Sequence, residues 1–426
     1  NLANGKHCAG LPLRHRALRH VNSTQVYHKT LNNPISEFAS AKTNIYNVNA
    51  IKHMTHDIVV IGSGISGATI AERYAKILNK KVLVIEKRDH IGGNCYDYYN
   101  QDGILVSKYG AHIFHTNHEH VWKYLQMFSS WRPYVHTVLS SVDGLLVPIP
   151  VNITTVNLLL NLHIQTEEEM QEWLTKQIVN IDHPKNSKES ALSRVGKVLY
   201  EKLFKNYTLK QWDTEPDQLD PSILDRIPVH ANFDTRYFSD KYQAMPTSGY
   251  TKIFEKMLSH PNIEVRLNTD YFKIKDSLKN FEKLFFTGPI DLYFQNKSSK
   301  KLTYRSLRFE FETFDFPYYQ TNSVINYPND NDFTRIVEYK LLFGQKHPKT
   351  TISREYPTWD GEPYYPVLSK ENISLYEFYK KQAELEEKKS VYFVGRLANY
   401  KYFNMDQAFA NALDLFYKLN PNADKK

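Results

Sequence analysis

The chain has 426 residues, 41% of them apolar and 23% charged, which supplies core for two or three domains and excludes a disordered or collagen-like polypeptide. No run approaches the ~18 apolar residues of a membrane helix, so no integral membrane segment is expected. Two cysteines, Cys8 and Cys95, cannot build a disulfide framework or a thiolate zinc site and point to a reducing, cytoplasmic compartment. The net charge of +8 sits mainly at the start: residues 1–53 hold seven Lys/Arg against Glu37, leaving 47 bases and 45 acids elsewhere. A nearly neutral body argues against a nucleic-acid partner.

Residues 1–53 lack hydrophobic periodicity and are rich in Asn, Ser, His and Arg. They read either as an organellar transit peptide or as an upstream, non-native extension ahead of Met54, and are expected to be poorly ordered. Beyond Met54 the texture changes. Residues 56–61 spell a short buried strand, Ile65–Leu78 a helix, and residues 81–86 (KVLVIE) a second buried strand, which together make a βαβ unit.

Gly62-Ser63-Gly64-Ile65-Ser66-Gly67 lies between the first strand and the helix. In that position GxGxxG is a dinucleotide fingerprint. Gly62 makes the tight turn, Gly64 admits a pyrophosphate close to the backbone, and Gly67 lets helix and strand pack. The helix N-terminus offers free N–H groups and partial positive charge. Glu86, at the end of the second strand, suits ribose hydroxyls and disfavours a 2′-phosphate.

Short aromatic and β-branched runs at 132–150 and 303–343 suggest an antiparallel sheet. Thr166 and Glu169 form a capping box for a helix over 166–178, with Met170, Trp173, Leu174 and Ile178 on one face. A second helix is predicted over 188–204, so 151–225 reads as a helical insert. A buried strand at 391–395 and a helix at 406–419 close the chain.

Six residues after Glu86, Gly92-Gly93-Asn94 in the run EKRDHIGGN resembles the second glycine pair of a flavoprotein superfamily that includes amine oxidases and desaturases. The run Tyr392-Phe393-Val394-Gly395-Arg396 resembles the strand that closes the FAD domain in such proteins. Further on come KYGAHIFHTN (108–117), YTLKQW (207–212), RIPV (226–229), YFSDKYQ (237–243), GYTK (249–252), TGPID (287–291), YRSL (304–307), VIN (324–326), EPYYP (362–366) and GRLANYKY (395–402). In that order these motifs resemble the bacterial type of UDP-galactopyranose mutase over about residues 55–420.

The resemblance implies an α/β fold: an FAD-binding Rossmann-like domain with two dinucleotide-binding motifs, a helical insert and an antiparallel β-sheet domain. The FAD domain is expected to draw on 54–131, on 226–300 with a mobile loop, and on 386–420. The sheet domain would take 132–150 and 301–385, and the substrate-side insert 151–225. The implied reaction interconverts UDP-galactopyranose and UDP-galactofuranose, with N5 of reduced FAD as nucleophile on the anomeric carbon. That fits the lack of a Ser-His-Asp set, of paired carboxylates at a motif and of metal ligands. Four histidines between 112 and 120 have no cysteine or carboxylate cluster to join them, so no metal is expected.

Residue by residue, the resemblance puts Arg226 and Arg335 on the UDP pyrophosphate, where a planar guanidinium fork can bind bidentately. Tyr237, Tyr356 and Tyr402 would donate to the same phosphates. Tyr207 and Trp212 would line the substrate pocket, with Asn326 and His136 near sugar or nucleotide. Arg226, Arg335 and His115 form the implied catalytic set. Beside Gly62, Gly64, Ser66, Gly67 and Glu86, the implied cofactor contacts are Gly93, Asn94, His112, Ile113, His115 and Arg396, followed by Asn404, Met405 and Asp406. Asn404 stands where the family usually carries an Asp. UDP-galactose is the implied partner, and a homodimer is compatible with the resemblance. Two rivals share the fold: an amine oxidase or desaturase-like FAD oxidoreductase, and a non-enzymatic binding protein such as the Rab escort family. An intact set of cofactor motifs disfavours the second.

Overall fold

A computed structural model describes residues 55–295 and 300–423. The expectations for residues 1–53, Cys8 and Met54 lie outside the described residues. Strand β1 (Ile58–Ile61) is buried along its whole length, as an interior strand of a parallel sheet must be. It is followed by helix α1 (Ile65–Leu78) and by strand β2 (Val82–Ile85), the predicted βαβ unit. β1 pairs in parallel with β2 on one side and with Lys283–Phe286 on the other. The sheet is completed by Ile263–Arg266 beside β2 and by Val391–Phe393 at the opposite edge. Its five strands thus come from three distant stretches of chain. The terminal helix Met405–Leu419 packs on α1.

The second sheet has seven strands, in the order 365–366, 304–314, 350–358, 335–338, 324–326, 138–142, 145–149. The expectation of an antiparallel sheet needs one correction: Val324–Asn326 and Val138–Val142 run parallel. Two segments joined from so far apart in sequence have no hairpin turn to dictate their direction. Trp131–Pro133, which straddles the expected boundary at 131/132, and Tyr242–Pro246 form a separate three-stranded sheet with Phe114–Thr116 and do not join the large sheet. A long helix, Lys370–Glu387, begins within 301–385 and runs past its end; its Glu- and Lys-rich sequence carries little apolar periodicity.

The insert is helical at 153–160, 167–177, 187–199, 206–212 and 222–225. The capping box holds: the Glu169 N–H donates to Thr166 Oγ1 at 3.2 Å. The single helix predicted over 188–204 does not. Gly196 takes φ 74°, ψ 177°, and a Cβ there would lie 2.3 Å from the Gln177 carbonyl oxygen. The chain resumes as a π-turn at Tyr200–Lys205. Among the described residues no helix is long and apolar enough to cross a membrane.

Candidate active site and cofactor cleft

Gly62 leaves β1 with φ +99°, its N–H donating to the Ile85 carbonyl at 2.8 Å. α1 then starts at Gly64 with no side chain capping its first amides and no acid in its first turn. Those amides and the helix dipole stand ready for an anion. The glycines close in on one another. A Cβ on Gly67 would lie 1.9 Å from the Gly62 carbonyl oxygen, one on Gly93 2.8 Å from Gly64 Cα, and one on Gly395 2.6 Å from Ser66 Oγ. The Gly92 N–H donates to the Ser63 carbonyl at 3.0 Å, which docks the second glycine pair on the first. The C-terminal Gly395-Arg396 run therefore meets the fingerprint helix at Ser66.

Glu86 is buried at the end of β2. Its Oε2 accepts from the Ser63 N–H at 2.9 Å and Oγ at 2.8 Å, and its Oε1 from the Arg88 N–H at 3.0 Å. Oε2 is thereby filled, and Oε1 keeps a second acceptor site for a ribose hydroxyl. Asn94 Oδ1 accepts from Arg88 Nη1 at 3.0 Å. Uncapped amides, glycines where no Cβ fits and an oriented carboxylate together suit a dinucleotide such as FAD. Replacing Glu86 by Ala leaves three donors at the turn without their acceptor. We expect that variant to lose about 1–3 kcal/mol of stability and to shed FAD on gel filtration. Full flavin retention with unchanged Tm would contradict this.

A cavity of ≈ 220 Å³ opens beside this cleft. One wall is a single cross-strand row of the seven-stranded sheet: Asn326 pairs with Arg335, and Arg335 with Glu355. Register partners point to one face, so all three side chains reach the cavity. Arg335 Nε lies 3.1 Å from Glu355 Oε2, and Glu355 is 2% exposed. Burial pushes the Glu355 carboxyl up, while Arg335 opposes that shift. Sequence reasoning missed Glu355; only the strand register identifies it.

Period two also removes a predicted residue. Tyr356, next along the strand, faces away: its hydroxyl donates to Glu310 Oε2 at 2.8 Å and Arg308 stacks on its ring. It does not line the cavity. Tyr365, from the EPYYP motif, does, stacked on Tyr402 with ring centroids 5.4 Å apart.

The helix Asn206–Trp212 brings Tyr207 and Trp212 to the cavity lining as well. Lys210, on the same helix, donates from Nζ to the carbonyls of Tyr327 (2.8 Å), Asn331 (2.7 Å) and Phe333 (3.2 Å). It thereby ties the helix to the loop joining Asn326 to Arg335. Arg305 Nε donates to the Gln211 carbonyl at 3.0 Å, fixing the helix's last turn. Neither cation was singled out from sequence.

The guanidinium of Arg226, itself exposed, rests 4.3 Å from the centre of the Tyr402 ring. Arg396 lies 5.5 Å from both Tyr365 and Tyr402 and donates from Nε to the Phe403 carbonyl at 3.0 Å. Burial pushes the Tyr402 hydroxyl up, but Arg226, Arg396 and Arg335 outweigh it and hold that group below the usual tyrosine range. Among the described lining residues Glu355 is the sole carboxylate, so the cavity favours an anion.

Tyr237, His112, Ile113, His115 and His136 also line the cavity. His112 Nδ1 donates to the Gly110 carbonyl at 2.9 Å, and burial lowers the ring's pKa to about 4. His136 falls to about 3 through burial, Arg335 and His115. Both are neutral at physiological pH. His115 stacks on Phe238 and lies 2.8 Å through Nδ1 from Asp240 Oδ2. Asn404 and Met405 line the cavity at the start of the terminal helix, where the Asn404 N–H donates to Gln407 Oε1 at 2.9 Å. Asp406 turns inward instead: it is buried, accepts from Thr116 Oγ1 at 3.0 Å, and is not among the lining residues.

Residues 202–402 match a family model described as UDP-galactopyranose mutase, and residues 60–128 one described as an NAD(P)-binding Rossmann-like domain. A protein of Klebsiella pneumoniae named "Probable UDP-galactopyranose mutase" is 38% identical over 363 residues, 84% of this chain and 93% of that protein. A dTDP-fucopyranose mutase of Escherichia coli is 36% identical over 367 residues, 84% of this chain and 96% of the relative. A solved structure of reduced UDP-galactopyranose mutase superposes with a TM-score of 0.68 at 15% identity, over 87% of this chain and 95% of that one, which shows the fold.

Proposed function

The chain belongs to the UDP-galactopyranose mutase family, and from that premise we propose that it is the isomerase that interconverts UDP-galactopyranose and UDP-galactofuranose, with FAD in the glycine cleft. The observation that carries this reading is the cavity's charge: three guanidiniums face it, and its sole carboxylate among the described residues is held by Arg335. A diphosphate ester suits that balance. An amine, the substrate of the oxidase rival, would enter an electropositive site.

Arg335 holds one side of the diphosphate, with Glu355 fixing its fork from below. Arg226 approaches from the exposed side, and Tyr237 and Tyr402 donate hydroxyls to the same oxygens. Tyr207 and Trp212 flank the nucleotide and sugar as rigid walls, held by Lys210 and Arg305. Asn326 and the neutral His136 serve as uncharged hydrogen-bonding groups beside sugar or nucleotide. His112, Ile113, Arg396, Asn404 and Met405 border the flavin. Reduced FAD, when bound, supplies N5 as the nucleophile at the sugar's anomeric carbon and is not consumed. The residues' own work is placement, charge neutralisation and exclusion of water.

The test is incubation of the holoprotein with dithionite and UDP-galactofuranose, following UDP-galactopyranose formation, with dTDP-fucopyranose in parallel. The expected result is conversion of the UDP-sugar by reduced enzyme only, with no net electron consumption. Equal rates for oxidised and reduced protein, or no conversion by flavin-loaded protein, would overturn the assignment. Preferential turnover of the dTDP-sugar would move it to the other branch of the family.

A further inference from the structure

We propose that Asp240 is a positioning residue that locks His115 in the Nδ1–H tautomer, presenting a bare Nε2 to the cavity as an acceptor for a sugar hydroxyl. The sugar in this statement rests on the mutase reading; the tautomer does not. His115 Nδ1 and Asp240 Oδ2 are 2.8 Å apart. A carboxylate can only accept, so the imidazole proton sits on Nδ1 and the neutral ring's Nε2 is a lone pair.

Stacking and burial hold the plane of the ring in this pairing. Phe238 lies flat against it, centroids 3.6 Å apart and planes 11° from parallel, and His115 is 8% exposed. Its backbone is fixed in the small sheet, opposite Gln243. The same Gln243 holds the turn that carries the carboxylate: its Nε2 donates to the carbonyls of Phe238 and Asp240, both at 3.0 Å. Lys241 N–H adds a bond to Asn117 Oδ1 at 2.8 Å. One short turn therefore supplies the stacking ring and the orienting carboxylate, and both act on one imidazole that lines the cavity.

The cavity's chemistry gives that lone pair a use. Arg226, Arg335, Arg396, Tyr237 and Tyr402 are donors suited to phosphate oxygens, and Glu355 is engaged by Arg335. A sugar brings several hydroxyl protons that need acceptors. Of the three lining histidines, His115 alone has a carboxylate to set its tautomer.

The experiment is ¹⁵N imidazole NMR on the FAD-loaded enzyme at mildly alkaline pH, with the His115 signal assigned by its loss in His115→Gln. The wild type should show Nδ1–H. Asp240→Asn, whose amide can itself donate to Nδ1, should shift the ring to Nε2–H. Its kcat/KM should fall about a hundredfold, the lower end of what a positioned proton partner contributes, with flavin retention and Tm unchanged. Asp240→Glu should restore the tautomer and most of the rate. An Nε2–H signal in the wild type would overturn the proposal. So would an Asp240→Asn variant whose tautomer and rate do not change together. If wild-type enzyme leaves UDP-galactofuranose untouched, the mutase reading fails while the tautomer signals still decide the role of Asp240.

Discussion

Arg335→Ala is expected to lower kcat/KM by about 10²–10³-fold and to destabilise the protein as well, whereas Arg226→Ala should produce the first effect without the second. Both changes remove a guanidinium from the proposed diphosphate, a loss of about 2–5 kcal/mol for a charge-assisted partner. Their surroundings separate them. Arg226 is exposed as a residue and leans on Tyr402, to whose hydroxyl it also hydrogen-bonds, so its removal costs one hydrogen bond but leaves no buried charge unpaired. Arg335 is the partner of Glu355, whose carboxylate is almost wholly enclosed. Taking one member from a buried pair costs about 3–5 kcal/mol of stability.

The pH dependence of that cost has a definite sign. Burial already raises the folded-state pKa of Glu355, and without Arg335 only the backbone hydrogen bond from Ala111 still opposes that shift. A raised carboxyl pKa means the folded state binds the proton more tightly than the unfolded chain. Stability of Arg335→Ala should therefore recover as pH falls through that raised value and decline again as pH rises. Thermal melts across acid and neutral pH, with kinetics at saturating FAD, check both halves. Equal Tm losses for the two variants, or wild-type kcat/KM in both, would refute the assignment.

Gly67→Ala should have the largest effect on the cofactor cleft. The added methyl would lie 1.9 Å from the Gly62 carbonyl oxygen, a backbone atom that cannot rotate away. Relief requires α1 to lift off β1, which moves the uncapped amides and opens the contact of Gly64 with Gly93. Overpacking against side chains costs about 1–3 kcal/mol; against fixed backbone we expect more than that, with loss of bound flavin. Gly103→Ala is the control. Its φ is positive, at +76°, but the new Cβ would meet nothing within 4 Å, so only local backbone strain follows. Flavin content and Tm decide; a yellow, wild-type-stable Gly67→Ala would show that helix and strand can separate at little cost.

These features differ in how far the sequence betrays them. β1, α1 and β2 were legible because each signal is local: a buried apolar run, a 3.6-residue period, glycines at fixed offsets. The break at Gly196 was not, because one glycine inside a helical period gives no sign that its φ has turned positive. Tyr356 and Tyr365 illustrate a different barrier. Which face a strand residue takes depends on parity counted from a partner strand, and that partner, Tyr304–Phe314, begins 52 residues earlier. Glu355 and Asp240 were hidden for the same reason. Each matters through one long-range contact, with Arg335 and with His115, and nothing beside either residue in sequence marks that contact. Motif resemblance located Arg226, Arg335 and Tyr402 because it carries such contacts without deriving them.

The strand order has a consequence for how the protein is made. β1 and β2 emerge from the ribosome before the other strands of their sheet, which gains Ile263–Arg266 and Lys283–Phe286 much later and Val391–Phe393 about a hundred residues after those. Until then α1 lacks one of its packing partners, the helix Met405–Leu419, and Ser66 lacks its contact with Gly395. The helical insert and the seven-stranded sheet must therefore organise as loops hanging from an unfinished nucleotide domain. Pairing over such distances is slow, because the entropy of closing the loops is spent before any contact forms. A nascent chain arrested before residue 391 exposes the bare edge of Lys283–Phe286, a template for another chain. The flavin can be captured only once residues 391–419 are free, so its supply matters late in the synthesis of this domain rather than early.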